Sequence, residues 1–283
     1  RTGTSVFTPL PILRVFRSDE EQQLWEQRLT RPDYAPSMKP ALPASAIDRS
    51  IIAPYGGGEI TGGGWIQISS LLDTIYSTLP HTDLALDTPA HSSELTLSAT
   101  GVQWRGHSAR RFIFCEGWRS VRNPLFAFIP FLPSHGETVV FRAPALDPTY
   151  ILNSGVHIVP LGDGLFRAGA TNKWDIFEEV PSEAGKKELA DKIGELLAEP
   201  FEIVTHSAGI RPSILDRRPV AGLHPEFPAL GILNGFCGKG VFFGPWAAHY
   251  FAQFLERNED MPEDIDIARF PVSQTPHKHA ITA

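Results

Sequence analysis

Apolar residues recur at intervals of three and four in three long stretches of the chain, which is the spacing of one helix face. We predict helices over residues 18–29, 66–79 and 183–198. Ser18 followed by Glu21 has the pattern of a capping box and is expected to begin the first helix. Shorter apolar runs, bounded by glycine and proline, predict strands. In chain order these are residues 1–17, 84–105, 111–115, 137–142, 151–159, 165–170 and 201–208.

Three other stretches lack such periodicity. Residues 30–50 contain four prolines and predict a loop, and residues 56–64 predict a flexible glycine turn. Beyond Asp260 the chain is acidic and then polar, so we expect residues 261–283 to form a tail. Helices and strands interleaved, with an antiparallel portion in the middle, predict a mixed α/β fold of two domains.

Composition and charge exclude several classes of function. The formal charge of −7 and the lack of a basic stripe argue against nucleic-acid binding. The longest apolar stretch, residues 241–255, is interrupted by His249 and does not predict a membrane span. Two cysteines are too few for a disulfide framework and favour a reducing, cytoplasmic compartment. No H-E-x-x-H or G-x-S-x-G motif occurs, so neither a metal site nor a serine hydrolase is predicted.

The most informative stretch is residues 234–255, NGFCGKGVFFGPWAAHYFAQFL. A glycine-rich turn leads to an apolar step, and Pro245 is expected at the first position of a final helix. The first N–H groups of a helix have no partner within it and lie at the positive end of its dipole, so such a turn suits an anion or an electron-rich oxygen. A helix that only packs on a sheet would show the same pattern.

Three further motifs precede this stretch in a fixed order: FIFCEG, NSGVHIVPLGDGLFRAGAT and SAGIRPSILDRRPVAG, at residues 112–117, 153–171 and 207–222. With the final N-G-x-x-G-x-G they resemble the FAD-dependent D-amino-acid oxidase and glycine oxidase family over residues 1–257.

The resemblance implies a Rossmann-like FAD domain interleaved with an antiparallel-sheet substrate domain. The FAD domain would comprise residues 62–117 and 203–260, and the substrate domain residues 1–61 and 118–202.

The same resemblance implies FAD as the cofactor and an amino acid or related amine as the substrate. Arg211, in G-I-R-P, matches the arginine that holds the substrate carboxylate, and its planar guanidinium suits bidentate binding. His157 stands where the family often has a tyrosine facing the substrate, and Tyr55 is a second candidate for the pocket wall. The residues expected beside the flavin are Gly117, Gly235, Phe236, Cys237, Gly238, Lys239, Gly240 and Val241.

Structural alternatives stay open for these residues. Arg211 could pair with Asp216 or lie at the surface, and His157 could be an ordinary strand histidine. As a site residue, His157 could either donate a hydrogen bond or take a proton from an ammonium substrate. No residue is predicted to be catalytic in its own right.

The family's dinucleotide fingerprint, G-x-G-x-x-G at the start of a βαβ unit, is not found in this sequence; in the nearest match, Thr61 stands where the third glycine belongs. We therefore expect a longer protein, truncated here at its N-terminal side. One hypothesis is an oxidoreductase that transfers a hydride from an amine to flavin N5. Another is a non-catalytic fragment or subunit that binds FAD only with a partner chain or the missing segment. A flavin domain within an RNA-modifying or dehydrogenase assembly is a third, although the acidic charge argues against direct RNA binding.

Overall fold

The computed structural model describes residues 6–80, 88, 90–98, 101–147 and 149–272. The chain divides into two compact units. Unit 1 comprises residues 1–86, 136–172 and 180–208, and unit 2 comprises residues 87–135, 173–179 and 209–283. Helices and strands interleave along both, which confirms the predicted mixed α/β class.

The elements of the described part of the chain are as follows. The helices are α1 (Asp19–Leu29), α2 (Ile68–Thr78), α3 (Glu183–Gly194) and α4 (Gly240–Arg257). The strands are β1 (Phe7–Pro9), β2 (Ile12–Val15), β3 (Gly57–Ile60), β4 (Gly64–Ile66), β5 (Leu95–Ser98), β6 (Gly101–Trp104), β7 (His107–Ala109), β8 (Phe112–Phe114), β9 (Ser134–Arg142), β10 (Ile151–Asn153), β11 (His157–Gly162), β12 (Leu165–Gly169), β13 (Lys173–Trp174), β14 (Glu202–Arg211), β15 (Val220–Leu223) and β16 (Leu230–Asn234).

Unit 1 is built on a sheet with the strand order β9-β12-β11-β10-β2-β3, and β14 also pairs with β9. The pair β10 and β2 is parallel, and the other neighbours along this order are antiparallel. Burial alternates along β11, where Ile158 and Pro160 are buried and His157 is exposed, as expected for a strand with one face in the core. The buried face contacts α3 through Leu189 and Ile193.

Unit 2 contains a three-stranded sheet in the order β15-β16-β8. β16 is parallel to β8 and antiparallel to β15. Helix α4 packs on this unit through Ala247 and Phe251, which share a buried cluster with Ala221 and Ile265. A separate antiparallel sheet, β5-β6-β7, also belongs to the unit.

Several predicted boundaries need correction. Residues 56–64, predicted as a flexible turn, contain β3 and the start of β4. A Cβ atom on Gly57 would lie 2.7 Å from the carbonyl oxygen of Arg14, so this glycine serves close strand packing. The strand predicted over residues 151–159 is two strands, β10 and β11, and the one predicted over 201–208 continues to Arg211.

The final helix and the residues after it also differ from expectation. Helix α4 begins at Gly240, so Pro245 lies inside the helix and the predicted apolar step is its first turn. Residues 261–272 were predicted as part of a tail, yet Ile265 and Ile267 are buried and Asp266 bridges to Ala221. Apolar residues within an acidic stretch supply this contact. The rest of the predicted tail, residues 273–283, and parts of the stretch 84–105 lie outside the described residues.

His224, in unit 2, is a buried histidine with both ring nitrogens engaged. It is 4% exposed. Nδ1 accepts from the backbone N–H groups of Glu226 (3.1 Å) and Phe227 (3.2 Å), and Nε2 lies 2.8 Å from the carbonyl oxygen of Leu125. An amide N–H can only donate, so Nδ1 carries no proton and Nε2 donates. Burial lowers the pKa of His224 from its ordinary value of 6.5.

This arrangement predicts how the stability of unit 2 depends on pH. Because the folded pKa is lowered, the contribution of His224 is present above pH ~6.5 and is lost as the pH falls and the unfolded chain takes up a proton. Between pH 7.5 and 5.5 the melting temperature of the His224→Gln variant should therefore fall by less than that of the parent. His249→Gln, at an exposed histidine, should behave as the parent. An equal decrease in melting temperature in the parent and in His224→Gln would contradict the conclusion that burial lowers the pKa of His224.

Candidate functional site

Two of the predicted cofactor segments follow neighbouring parallel strands in unit 2. Phe112, Ile113 and Phe114 of β8 are in register with Leu230, Gly231 and Ile232 of β16, in the same direction. The carboxyl ends of both strands therefore meet at one edge of the sheet, where open α/β sheets bind ligands. Gly117 follows β8, and residues 235–239 follow β16.

Asn234, the last residue of β16, joins these two segments. It is 2% exposed. Its Nδ2 donates to the carbonyl oxygen of Gly117 (2.8 Å) and to Oγ of Ser120 (2.7 Å), and its Oδ1 accepts from the N–H of Gly235 (2.8 Å). Sequence reasoning missed this role, although Asn234 is the first residue of the N-G-x-x-G-x-G motif. A buried amide with three hydrogen bonds fixes the segments against each other.

The glycine-rich segment contains a tight turn from Phe236 to Lys239. The N–H of Lys239 donates to the carbonyl oxygen of Phe236 at 2.7 Å. Both central residues have a left-handed backbone, with φ of 52° at Cys237 and 81° at Gly238, as in a type I′ turn. Cys237 Sγ donates to the carbonyl oxygen of Gly235 (3.2 Å), which assigns this thiol a local structural contact.

The turn presents unpaired donors. Within the described part of the chain, the N–H groups of Cys237 and Gly238 donate to no backbone or side-chain acceptor. Helix α4 starts immediately afterwards, with Lys239 as its N-cap residue and no side chain capping it. A helix start without a cap leaves N–H groups and the positive end of the dipole available to an electron-rich group.

Arg211 lies against this turn. β14 ends at Arg211 because Pro212 follows, and proline lacks the N–H needed to continue a ladder. A Cβ atom on Gly238 would lie 3.1 Å from Cδ and 3.4 Å from Nε of Arg211, so the arginine side chain passes directly over the glycine. Burial lowers the pKa of Arg211 from its ordinary value of 12.5, and the guanidinium stays charged at neutral pH. Asp216, the predicted alternative partner, forms ion pairs with Arg218 and Arg269.

The backbone at Gly117 is open to a ligand. Gly117 has φ of 59°, and no described atom lies within 4 Å of the position a Cβ would take, so one side of its backbone is open. The free N–H groups of the turn are donors of the kind that the carbonyl-bearing edge of a flavin requires, so these residues fit the predicted cofactor. The fit rests on unit 2 residues alone.

The other predicted substrate residues, His157 and Tyr55, belong to unit 1. His157 begins β11 and is hydrogen-bonded to Asn153. Tyr55 lies just before β3 and is 41% exposed. Their contact with a substrate stays a prediction.

Three further features of the described residues lie apart from the predicted site residues. No group of three or more metal-binding side chains is found in this part of the chain. A cavity of about 460 Å³ in unit 2, with Leu223, Phe254 and Phe270 among its lining residues, contains none of the predicted site residues. A search of the described helices finds no candidate for a membrane-spanning segment.

Two curated proteins, both glycine oxidases, are similar to this chain in sequence. The glycine oxidase of Geobacillus kaustophilus (strain HTA426) is 31% identical over 146 residues, and that of Bacillus licheniformis is 27% identical over 151 residues. These alignments cover 50% and 52% of this chain, but only 38% and 41% of the two relatives, so the chain matches less than half of their length.

Solved structures share the fold. The crystal structure of glycine oxidase from Geobacillus kaustophilus superposes with a TM-score of 0.76 at 20% identity, covering 95% of this chain and 76% of that protein. The iminodiacetate oxidase of Chelativorans sp. BNC1 superposes with a TM-score of 0.77 at 18% identity, covering 93% and 76%.

One protein-family profile matches most of the sequence. The profile described as "DAO: FAD dependent oxidoreductase" matches residues 2–254. The order of motifs, the fold and this match agree, and the chain belongs to the DAO family of FAD-dependent oxidoreductases.

Proposed function

We propose that the protein oxidises a small amino acid or a related amine, with FAD as its cofactor. The observation that carries this proposal is the guanidinium of Arg211 lying beside Gly238, in a turn whose N–H groups are free at the start of α4. The similar proteins are named glycine oxidase and iminodiacetate oxidase, and these names support a carboxylate-bearing amine as the substrate.

The residues of this chain would act by binding and orientation. FAD, when bound, supplies at N5 an acceptor for the hydride that leaves the carbon atom next to the amine. Arg211 would hold the substrate carboxylate through two parallel N–H···O bonds, which fixes the position of that carbon. The N–H groups of Cys237 and Gly238 and the start of α4 would offer donors to an electron-rich ring edge without further rearrangement.

Anaerobic mixing tests the proposal. The FAD-bound protein is mixed with glycine or iminodiacetate without oxygen, and the visible absorbance of oxidised flavin is followed. We expect one of these amines to bleach the flavin, whereas acetate, which has no amine, should not. Protein that binds FAD and stays oxidised with every amine offered would contradict the function and leave the cofactor assignment intact.

A second candidate function is favoured by helix α2. Its apolar residues Ile68, Leu72, Ile75 and Tyr76, with Leu79 at its C-cap, are 41–44% exposed, and none of the residues of the helix is buried. An apolar helix face that the described residues do not cover is typical of a protein that needs a further segment or partner chain. On this alternative the chain is a non-catalytic subunit, and FAD added to the isolated chain would remain fully fluorescent and unbound.

A further inference from the structure

A row of polar residues crosses the unit 1 sheet on the face opposite its core. In the strand register Asn153 of β10 is the partner of both Arg14 of β2 and His157 of β11. Register partners project from the same face of a sheet. The next residues in these strands, Leu13, Leu152 and Ile158, belong to the buried cluster around α3. The three polar residues therefore lie on the other face.

These residues form a continuous chain of hydrogen bonds. Nη1 of Arg14 donates to Oδ1 of Asn153 at 2.5 Å, and Nη2 of Arg14 donates to Oε1 of Glu21 in α1 at 2.8 Å. Nδ2 of Asn153 lies 2.6 Å from Nε2 of His157. Glu21 thus anchors the guanidinium, and the guanidinium anchors the amide.

The direction of each bond follows from the chemistry of the groups. A guanidinium has only donors, so the Asn153 amide must turn its oxygen towards Arg14. The amide nitrogen then faces His157, and an NH₂ group can only donate. Nε2 of His157 must therefore accept, which places the single proton of the neutral ring on Nδ1.

This tautomer decides between the two roles that the sequence left open for His157. Nε2 is occupied by the Asn153 amide, so it does not take a proton from an ammonium group without breaking that bond. Although His157 is exposed as a residue, its ring is partly desolvated by its neighbours. This desolvation, and then the charge of Arg14, lower the pKa of His157 from 6.5, which further disfavours protonation. Nδ1–H makes no hydrogen bond within the described part of the chain, so it is the atom that His157 offers to a ligand.

We propose that Arg14 and Asn153 are positioning residues that hold His157 as a neutral hydrogen-bond donor through Nδ1. The acceptor would be a carboxylate or carbonyl oxygen of a ligand bound on this face of the unit 1 sheet, because only an acceptor can pair with Nδ1–H.

Nitrogen-15 NMR of the full chain measures the tautomer directly. Two-bond proton–nitrogen spectra distinguish a protonated Nδ1 from a protonated Nε2, and His157→Gln identifies the signals. We expect Nδ1–H in the parent chain. In Asn153→Asp the carboxylate accepts from Nε2–H, so the proton should move to Nε2 and the imidazole pKa should rise. Asn258→Asp, at the exposed C-cap of α4, adds the same charge elsewhere and should leave His157 unchanged.

Two results would overturn the proposal separately. A protonated Nε2 in the parent, or the same tautomer in Asn153→Asp once its backbone spectrum shows a folded chain, would remove the positioning role. Acetate, added as a carboxylate probe, should shift the Nδ1–H signal of the parent chain, and an unshifted signal at saturation would remove the ligand contact. Because neither readout needs turnover, failure of the oxidation reaction is seen independently in the bleaching experiment.

Discussion

Replacing Arg211 with alanine should lower kcat/KM for carboxylate-bearing amines by about 100-fold or more and leave FAD bound. Each hydrogen bond to a charged group contributes roughly 1.5–3 kcal/mol, and every 1.4 kcal/mol is about tenfold. Two such bonds from one guanidinium therefore correspond to at least about two powers of ten. FAD should be retained because the Asn234 bonds and the turn from Phe236 to Lys239 do not involve Arg211.

Two further variants make the Arg211 experiment specific. Arg211→Lys keeps the charge but loses the planar fork, so its kcat/KM should lie between those of the parent and the alanine variant. Arg257→Ala removes an exposed arginine at the end of α4 and should leave the kinetics unchanged. Parent-like kinetics in Arg211→Ala would take this residue out of the site.

Gly185→Ala should destabilise unit 1 by several kcal/mol, although alanine is ordinarily the better helix former by about 1 kcal/mol. A Cβ atom on Gly185 would lie 2.2 Å from Oε2 and 2.3 Å from Oε1 of Glu137. This carboxylate is 1% exposed and accepts from the N–H and Oγ of Ser182, the N-cap of α3, at 2.8 Å each. Nε2 of His206 also lies 2.8 Å from Oε2.

The size of this effect follows from the buried charge. The added methyl group must displace the carboxylate from its donors, and breaking the pairing of a buried charge costs about 3–5 kcal/mol. Gly194→Ala, at the last position of the same helix, is the matched control, because no described atom lies within 4 Å of its Cβ position. Chemical denaturation should show a large loss for Gly185→Ala and no loss for Gly194→Ala. A similar change in the free energy of unfolding in both variants would mean that the close approach of Gly185 to Glu137 does not contribute to stability.

Elements with a strong local pattern were predicted correctly. Helix α1 begins after Ser18, whose side chain accepts from the N–H of Glu21 as the capping pattern requires. Helix α3 begins at Glu183, at the start of its predicted range. Both depend on contacts three or four residues apart, which are visible in the sequence.

Elements that depend on distant partners were not predictable in this way. The glycines of β3 predicted a turn because glycine is permissive, whereas Gly58 in fact pairs with Arg14 and lies under the ring of Trp25. Arg14 and Asn153 are 139 residues apart in sequence, so no local pattern shows that they meet.

The candidate site likewise combines local motifs, which the sequence shows, with contacts between distant residues, which it does not show. The motifs predict that Arg211 and the glycine turn belong to the site, and only the fold shows that the Arg211 side chain passes over Gly238. The domain segments assigned to FAD and to substrate stay a prediction. Residues 62–80 belong to the compact unit 1 and residues 118–135 to unit 2, which differs from that assignment.

The central claim is that Arg211 and the glycine turn place a carboxylate next to the flavin. Titrating the FAD-bound protein with glycolate, a carboxylate without an amine, and recording the visible spectrum of the flavin tests this most directly. The account predicts a saturable spectral change in the parent and in Arg257→Ala, and none in Arg211→Ala over the same concentrations. An unaltered spectral change in Arg211→Ala, or no change in the parent, would contradict it.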